Sequence, residues 1–253
     1  MMRLLLSLLL FLAAPAWAQE ERIVAGMSQN RVAIDATFVG SEILLFGAVK
    51  RETPIPDSPL GVVIVIEGPE ETVTVRRKER QFGIWVNTDA VAVRDAPAFY
   101  AIATSGRFDY VLSEEENRDR LVSIEETVQV IENAEVDDAE AFADALIRIR
   151  EKEGLYSLAE DSVFLDQSTL FSTSVQLPSN VVEGLYTAHI YLTREGKVVS
   201  NHVSYVSVRK VGLERWVFNL AHERPLIYGL LSLAIAGFFG WAASTLFRFV
   251  FRN

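Results

Sequence analysis

The segment 184–208 reads GLYTAHIYLTREGKVVSNHVSYVSV, and this stretch indicates the fold class of the chain. β-Branched and aromatic residues dominate two runs, Leu185–Arg194 and Lys197–Val208, which flank the dipeptide Glu195-Gly196. Such runs favour β-strands, and a two-residue connection that contains glycine is typical of a tight hairpin turn. The segment therefore predicts an antiparallel β-hairpin.

The register set by that turn, with Arg194 opposite Lys197, predicts one apolar and one polar face. The predicted apolar face comprises Tyr186, Ala188, Ile190, Leu192, Val199, Val203 and Tyr205. On the polar face His189 and His202 are directly opposed, with Cβ atoms about 4.5–5.5 Å apart. These two residues are a candidate metal site, because neutral imidazole binds transition metals. The alternative is a pair of ordinary surface histidines.

Short apolar runs separated by turn residues continue the pattern outward from the hairpin. Strands are predicted at 31–38, 42–50, 61–67, 72–77, 82–86, 99–104 and 171–177. No crossover helix separates the first six runs, which argues against a parallel doubly wound sheet. We predict a mainly β fold, an immunoglobulin-like antiparallel β-sandwich, with two small separate domains as the alternative.

A helical insertion at about residues 113–165 interrupts the strands. The sequence Ser113–Glu116 has the form of a capping box, which opens a helix. Asp137–Glu140 repeats that form ahead of a helix predicted at 138–153, and Gly154 suits the end of this helix.

The N-terminus carries an export signal. Residues 1–18 combine a basic start, an apolar run from Leu4 to Ala14 and a small-x-small site ending at Ala18, which together predict a cleaved signal peptide. The apolar run is too short to cross a bilayer as a helix, which takes roughly 17–25 residues. Residues 19–210 are therefore predicted to form an exported domain.

The C-terminus carries a predicted membrane anchor. Residues 225–247 form an uncharged apolar run of sufficient length for one transmembrane helix, and the segment 211–224 precedes it as a juxtamembrane element. Arg248 and Arg252 follow the run, whereas His222–Arg224 on its other side has no net positive charge. By the positive-inside rule the tail 248–253 is cytoplasmic.

Small residues recur every four positions within this predicted span, at Ser232, Ala236, Gly240 and Ser244. Helices in lipid gain little from apolar burial, so close backbone contact must drive their association. The stripe predicts a helix-packing face for a second copy or for another transmembrane protein. A plain anchor is the alternative, because small residues are common in membrane helices.

Composition argues against several classes of function. The 253 residues include 24 Lys and Arg against 34 Asp and Glu, and the net charge of −10 gives no support for nucleic-acid binding. The absence of Cys excludes disulfides, thiolate metal sites and Cys nucleophiles. The sequence has no phosphate-binding glycine loop, nucleophile elbow or zinc-protease motif. We therefore predict that the protein is not an enzyme and needs no cofactor.

The chain also resembles a known family. The residues that carry the resemblance are Gly184-Leu185-Tyr186, Val211-Gly212-Leu213-Glu214, Ala221-His222-Glu223-Arg224-Pro225 and Tyr228-Gly229. They are similar to the alphaproteobacterial putative transmembrane protein family, over the whole mature chain. The resemblance implies a bacterial inner-membrane location with a periplasmic domain, and it suggests a sulfite-exporter-like permease as partner. It supplies no catalytic residues.

These observations predict an interaction protein held in the membrane by one span. Its expected role is that of an accessory or scaffold subunit of a membrane complex, such as a transport complex. The alternative is a periplasmic ligand- or metal-binding protein that uses the polar hairpin face around His189 and His202.

Overall fold

The computed structural model describes residues 21–35, 38–128 and 138–250. The predicted signal peptide at 1–18 lies outside the described residues, as do the last three residues of the predicted tail. Strands account for 47% of the structure and helices for 27%, so the protein is mainly β with one C-terminal apolar helix. This confirms the predicted class, but not the immunoglobulin-like arrangement in particular.

Twelve strands are described in these residues. They are β1 (Arg22–Met27), β2 (Arg31–Ile34), β3 (Ser41–Lys50), β4 (Leu60–Glu67), β5 (Glu70–Gln81), β6 (Ile84–Pro97), β7 (Tyr100–Thr104), β8 (Tyr156–Ala159), β9 (Phe164–Asp166), β10 (Leu170–Leu177), β11 (Gly184–Arg194) and β12 (Lys197–Lys210). The helices in the same part of the chain are α1 (Phe108–Val111), α2 (Glu114–Arg120), α3 (Ile124–Thr127), α4 (Glu140–Lys152), α5 (Leu213–Glu223) and α6 (Pro225–Val250).

Ten of these strands form two sheets. The smaller sheet has the order β1-β3-β10-β9, and the larger has the order β2-β12-β11-β4-β7-β8. The remaining strands, β5 and β6, pair with each other as a separate two-stranded arm. The pairs β2–β12 and β7–β8 are parallel. The prediction of a purely antiparallel sheet was therefore wrong at both edges of the larger sheet.

Strand β4 lies in the interior of the larger sheet, and this position explains the apolar sequence of the strand. Residues 62–66 are buried on both faces, as expected for a strand covered on both sides. On one face Val111 of α1 packs close to Gly61, which identifies the side that the helices cover. Ile64 and Ile66 lie on the opposite face and join the core that the two sheets share.

The helical segment is shorter than predicted. Strands β8 and β9 occupy the last part of the predicted insertion. β8 is an edge strand of the larger sheet, and β9 is an edge strand of the smaller sheet. The Oγ atom of Ser113 accepts a hydrogen bond from the Glu116 amide at 3.3 Å, which confirms Ser113 as the N-cap, whereas the Ser113 amide donates to the carbonyl oxygen of Gly196, so the reciprocal bond of a full capping box is replaced. The second begins at Asp137, outside the described residues. Gly154 follows α4 with a φ of +72°, as expected for a residue that ends a helix.

The hairpin forms as predicted at its turn, where Arg194 pairs with Lys197. A β-bulge between Leu192 and Thr193 then shifts the register by one residue. His189 consequently lies opposite Val203, and His202 lies opposite Ile190. The predicted direct pairing of His189 with His202 was wrong.

The shifted register also changes the two faces of the hairpin. Val203 and Tyr205, which were predicted to lie on the apolar face, share the face of His189 and are exposed. Val206 is buried instead, opposite Tyr186. Because successive residues of a strand point to opposite faces, His189 and His202 lie on different sides of the sheet. Within this strand pair they cannot bind one metal ion together.

The β5–β6 arm is buried at its base and free at its end. Val75, Val91 and Val93 near the base belong to the core, whereas residues 78–90 include no buried side chain. The dipeptide Phe82-Gly83 makes the turn, with φ values of +50° and +89°. Positive φ at both central residues is typical of the turn that suits a twisted hairpin. The predicted strand at 82–86 therefore begins two residues early.

The first described residue is fixed by a buried ion-pair network. The Glu21 carboxylate accepts hydrogen bonds from Arg51 Nε at 2.5 Å and from Arg194 Nη2 at 2.8 Å. All three side chains are less than one-tenth exposed. Arg194 also donates to the carbonyl oxygen of Ser58, which completes its hydrogen bonding. The network joins the residue immediately before β1 to the end of β11.

The C-terminal end of the chain forms two helices. Of the described residues, Pro225–Thr245 is one apolar stretch of 21 residues that could cross a membrane, and none of its most apolar window is buried in the protein. At 1.5 Å per residue it spans about 32 Å, close to the thickness of a hydrocarbon core. This agrees with the predicted span at 225–247.

Candidate functional site

A polar cleft lies on the helix-covered face of the larger sheet and encloses about 560 Å³. Its floor is formed by neighbouring strands, β4, β7 and β11, and its wall by the end of α2, by α3 and by the base of the arm. The lining residues are Val65, Glu67, Glu70, Arg94, Asp95, Tyr100, Arg120, Leu121, Val122, Thr127, His189 and Tyr191. Because rigid strands carry the floor, the cleft is preformed.

Glu67 and His189 form the titratable centre of this cleft. The Nε2 atom of His189 lies 3.8 Å from Oε2 of Glu67, and both side chains are somewhat more than one-quarter exposed. The register of β11 against β4 explains the proximity, because His189 pairs with Val65, two residues before Glu67 on the same face. The ring of His189 stacks on Tyr191 with 6.1 Å between centroids and 6° between planes. That stacking fixes the orientation of the imidazole.

Burial favours the neutral form of both groups. It raises the pKa of Glu67, and the nearby Glu70 carboxylate adds to this effect. It also lowers the pKa of His189. The two pKa values are thereby moved toward each other, so a ligand that brings charge into the cleft can change the protonation of either side chain.

Tyr100 anchors the wall of the cleft. Its hydroxyl donates to the carbonyl oxygen of Val122 at 2.9 Å and accepts a hydrogen bond from Thr127 Oγ1 at 3.1 Å. Burial raises the pKa of Tyr100 far above its ordinary value, so this residue stays neutral and acts as a structural contact. Its two hydrogen bonds hold the segment after α2 in place.

The cleft presents positively and negatively charged side chains to a ligand. Arg120 contributes its guanidinium 5.9 Å from the centre of the Tyr191 ring, while its Nε donates to Glu116 at 2.7 Å. Arg94 supplies a second cation, and Glu67, Glu70 and Asp95 supply carboxylates. Among the described residues no three His, Asp or Glu side chains lie close enough together to hold a metal ion. The arrangement suits a small polar ligand with both charged and aromatic parts.

The sequence analysis identified only one residue of this cleft as a candidate, His189. His202 lies on the other side of the sheet and does not reach it. Glu67, Tyr100 and Arg120 were missed, because they come from segments far apart in the chain. One signal was available for Glu67: it is the single charged residue that closes the apolar run Leu60–Ile66 before a Gly-Pro turn.

A second concave surface, which we call the outer groove, lies on the exposed face of the smaller sheet and encloses about 590 Å³. Large apolar side chains line it, and Val24, Phe46, Phe164 and Leu170 are 58%, 46%, 68% and 53% exposed. Gly26 lies beneath the Phe46 ring, because a Cβ atom there would approach the ring to 3.1 Å. The missing side chain lets the aromatic ring lie across the neighbouring strand.

The predicted helix-packing stripe lies on α6. Its residues Ser232, Ala236, Gly240 and Ser244 are exposed, and no described atom lies within 4 Å of the position that a Cβ atom would take at Gly240. The Ser232 hydroxyl donates to the carbonyl oxygen of Tyr228 at 2.9 Å, so its polar group is satisfied within the helix. The stripe is thus available to another helix.

A mainly β domain followed by one exposed apolar helix defines a membrane protein with a single candidate span in the described part of the chain. The model of a putative transmembrane protein family matches residues 22–249. The chain belongs to that family, the alphaproteobacterial putative transmembrane proteins, as the sequence analysis predicted. None of the curated proteins matches it.

Proposed function

We propose that this protein is a non-enzymatic accessory or scaffold subunit of a bacterial inner-membrane complex, whose periplasmic β-sandwich binds a partner protein. The observation that carries the proposal is the outer groove. Soluble domains seldom leave several large apolar side chains exposed together, and such patches commonly mark interaction sites. Here four of them surround a concavity on one sheet face.

The partner we propose is the exported part of another transmembrane protein, such as a sulfite-exporter-like permease. Two features support a membrane-bound partner. The family match and the apolar helix α6 hold this chain at a membrane, which raises its effective concentration for other proteins there. The small-residue stripe of α6 offers a second contact, between helices, with the same partner.

Photo-cross-linking in native membranes tests the proposal. A photoreactive amino acid at position 46 should give an adduct with one other membrane protein, because Phe46 lies in the outer groove. The matched control is position 42, which is exposed on the same face of β3 but outside the groove. Leu170→Asp should abolish the adduct from position 46. Equal adducts from both positions, or none from position 46, would contradict the proposal.

The membrane topology in this proposal is tested separately. We propose a signal peptide at 1–18, a periplasmic domain and a cytoplasmic C-terminus, supported by the N-terminal export pattern and by Arg248 and Arg252 after the span. A reporter that is active only in the cytoplasm should be active after Asn253 and inactive after Lys210. Activity of the reporter when it is fused after Lys210 would show that the orientation is the opposite of the one proposed.

The polar cleft supports a second candidate function, the binding of a small polar ligand in the periplasm. The specific observation is the half-buried pair Glu67 and His189, in which burial raises the pKa of the carboxyl and lowers the pKa of the imidazole. A panel of amino acids and small zwitterions should include a compound that raises the thermal midpoint of the full-length protein. Glu67→Gln should remove that shift. A panel without effect, or a shift unchanged in Glu67→Gln, would exclude such a ligand from the tested class.

A further inference from the structure

We propose that the end of the β5–β6 arm, residues 78–86, binds the surface of the membrane that holds α6. In this proposal Phe82, Ile84 and Trp85 enter the interface of the bilayer, and Lys78 and Arg80 contact anionic phospholipid headgroups. We call residues 78–86 the arm tip. The inference concerns lipid contact by the exported domain and does not depend on the proposed partner protein.

Phe82 is the residue that first indicates contact outside the fold. It lies at the turn with a φ of +50°, a backbone conformation that is strained for a bulky side chain and that Gly, Asn or Asp adopt more readily. Its side chain is fully exposed. The fold therefore gains nothing from an aromatic group at this position, and its presence costs both backbone strain and apolar exposure.

Two further apolar side chains accompany Phe82. Ile84 is 65% exposed and Trp85 is 69% exposed, and neither belongs to the core. Trp prefers the boundary between water and hydrocarbon, because its ring is apolar and its indole N–H is polar. Three such residues at the end of one hairpin form a compact apolar point that can enter a headgroup layer without unfolding.

The net charge of the arm tip is +1, because Lys78 and Arg80 outnumber Glu79, whereas the rest of the chain is acidic. Arg76, Lys78 and Arg80 are exposed, and within the described residues no carboxylate forms an ion pair with any of them. Arg80 lies directly opposite Trp85 in the arm. Since the whole chain carries a net charge of −10, anionic lipid repels most of its surface but attracts the arm tip.

Arg77 shows by contrast what a structural arginine looks like in the same strand. It pairs with Asp138 at 2.5 Å and with Asp89 at 3.8 Å, and its guanidinium lies over the ring of Phe142. This side chain ties the arm to α4. Among the described residues the neighbouring basic side chains have no such partner, and we propose that their charge faces a surface outside the domain.

The base of the arm lies beside the end of β12, from which the chain continues to the membrane anchor. Pro69, immediately before β5, packs against Gly184, where an added Cβ atom would approach its ring to 2.7 Å. Gly184 pairs with Val208, two residues before the end of β12. Only α5, about 16 Å long, lies between that end and the span, whereas the twelve residues of β5 can reach about 40 Å.

These geometric facts favour lipid over a protein partner for the arm tip. A bilayer surface is always within reach of a domain tethered by α6, and it demands no complementary shape. Aromatic residues beside unpaired basic residues are the combination that an anionic interface attracts. The outer groove, in contrast, is apolar and concave, and suits a protein.

Fluorescence of Trp85 in proteoliposomes tests this inference. The full-length chain with Trp216→Phe and Trp241→Phe retains Trp85 as the one Trp outside the predicted signal peptide. In vesicles of phosphatidylcholine with phosphatidylglycerol, Trp85 should shift to the blue and be quenched by lipids brominated near the headgroup. In vesicles of phosphatidylcholine alone both effects should be smaller.

Two variants and one control identify the groups responsible. Replacing Lys78 and Arg80 by Gln should lower the ratio of bound to free arm tip by about 30-fold, since each basic residue near an anionic surface contributes about a factor of five. Phe82→Asn suits the turn better, so it should fold at least as well while weakening the quenching. The matched control is Tyr110→Asn, which replaces an exposed aromatic residue outside the arm and should leave Trp85 unchanged.

Three results would overturn the inference. Trp85 could remain unquenched in both kinds of vesicle, which would show that the arm tip stays in water. Quenching could persist unchanged in both the Phe82 and the Lys78/Arg80 variants. The blue shift could instead increase with the number of protein molecules per vesicle and not depend on the fraction of anionic lipid. That result would show that the arm tip contacts a second copy of the chain.

Discussion

Glu21 and Arg194 meet in a two-pronged salt bridge although 173 positions separate them in the sequence. Arg194 Nε reaches Oε2 of Glu21 at 2.9 Å, and its Nη2 reaches Oε1 at 2.8 Å. Planar, paired contacts of this kind are the strong form of an arginine–carboxylate interaction. Because both groups are buried, each depends on the other for compensation of its charge.

Loss of the Glu21 carboxylate should therefore destabilise the domain strongly. Glu21→Ala leaves Arg51 and Arg194 buried without their anion, and we expect the free energy of unfolding to fall by about 3–5 kcal/mol. Urea unfolding of the full-length protein in detergent, followed by near-UV circular dichroism, measures this loss. Glu52→Ala, which removes an exposed carboxylate, is the control and should change little. Equal midpoints for both variants would show that the bridge contributes nothing.

The same bridge predicts sensitivity to acid. The hydrogen bond from Arg194, followed by that from Arg51, holds the pKa of Glu21 below its ordinary value of 4.5. A carboxyl whose pKa is lowered on folding adds stability above its unfolded pKa, and this stability is lost as the pH falls through the folded pKa. The difference in stability between wild type and Glu21→Gln should thus be full at pH 7 and shrink below about pH 4.5. A difference that stays constant down to pH 3 would contradict this.

The bulge in the β11–β12 hairpin predicts which valines tolerate a charge. Val206 is fully buried, so Val206→Asp should lower the free energy of unfolding by about 3 kcal/mol or more. Val203 is 37% exposed and lies on the other face, so Val203→Asp should cost about 1 kcal/mol or less. Denaturation midpoints of the two variants distinguish the observed register from one without a bulge, which would bury Val203.

The polar cleft predicts an unusual titration of His189. Burial lowers its pKa below 6.5, so the stability that depends on neutral His189 is present above that pH and is lost as the pH falls. Glu67→Gln removes the carboxylate at 3.8 Å and should lower the pKa further. NMR titration of the ring proton, assigned with His189→Gln, measures both effects. A higher pKa in Glu67→Gln would mean that the two side chains do not interact as described.

The stripe on α6 predicts a sequence-specific association in the membrane. Gly240→Leu places a bulky side chain where the chain itself leaves free space, so the helix should fold normally and lose close packing with another helix. Phe239→Leu, on a different face, should be tolerated. A two-hybrid assay in membranes, run first for self-association and then with co-purified partners, compares the two. Associations as strong as wild type in Gly240→Leu would reduce α6 to an anchor.

Local patterns in the sequence sufficed for most of the strands, for Ser113 as a helix N-cap and for the apolar span, because each depends on residues close together in the chain. The hairpin shows where local reasoning ends. Its turn was predicted correctly, but the bulge was not; it lies at Thr193, which is buried beside Gly61 of the neighbouring strand. No pattern within 184–208 reveals that contact.

The polar cleft was beyond local prediction for a related reason. Glu67 and His189 become neighbours only through the pairing of β4 with β11, and Tyr100 joins them from β7. The strands β8 and β9 were missed because they have only four and three residues, and β1 was missed because its sequence RIVAGM carries no clear alternation. Parallel pairing at the edges of the larger sheet follows from chain routing, which hydrophobic alternation does not encode.

The parallel pairing of β2 with β12 has a mechanical consequence. β12 continues toward the membrane helix, and it is bonded along its end to β2 on one side and to β11 on the other. Tension applied through the anchor therefore acts on the β12–β2 and the β12–β11 hydrogen bonds together. Both sets must break before the end of β12 can leave the sheet. A pull transmitted from α6 through α5 would therefore meet hydrogen bonds on both sides of β12 before it could peel this strand from the sheet.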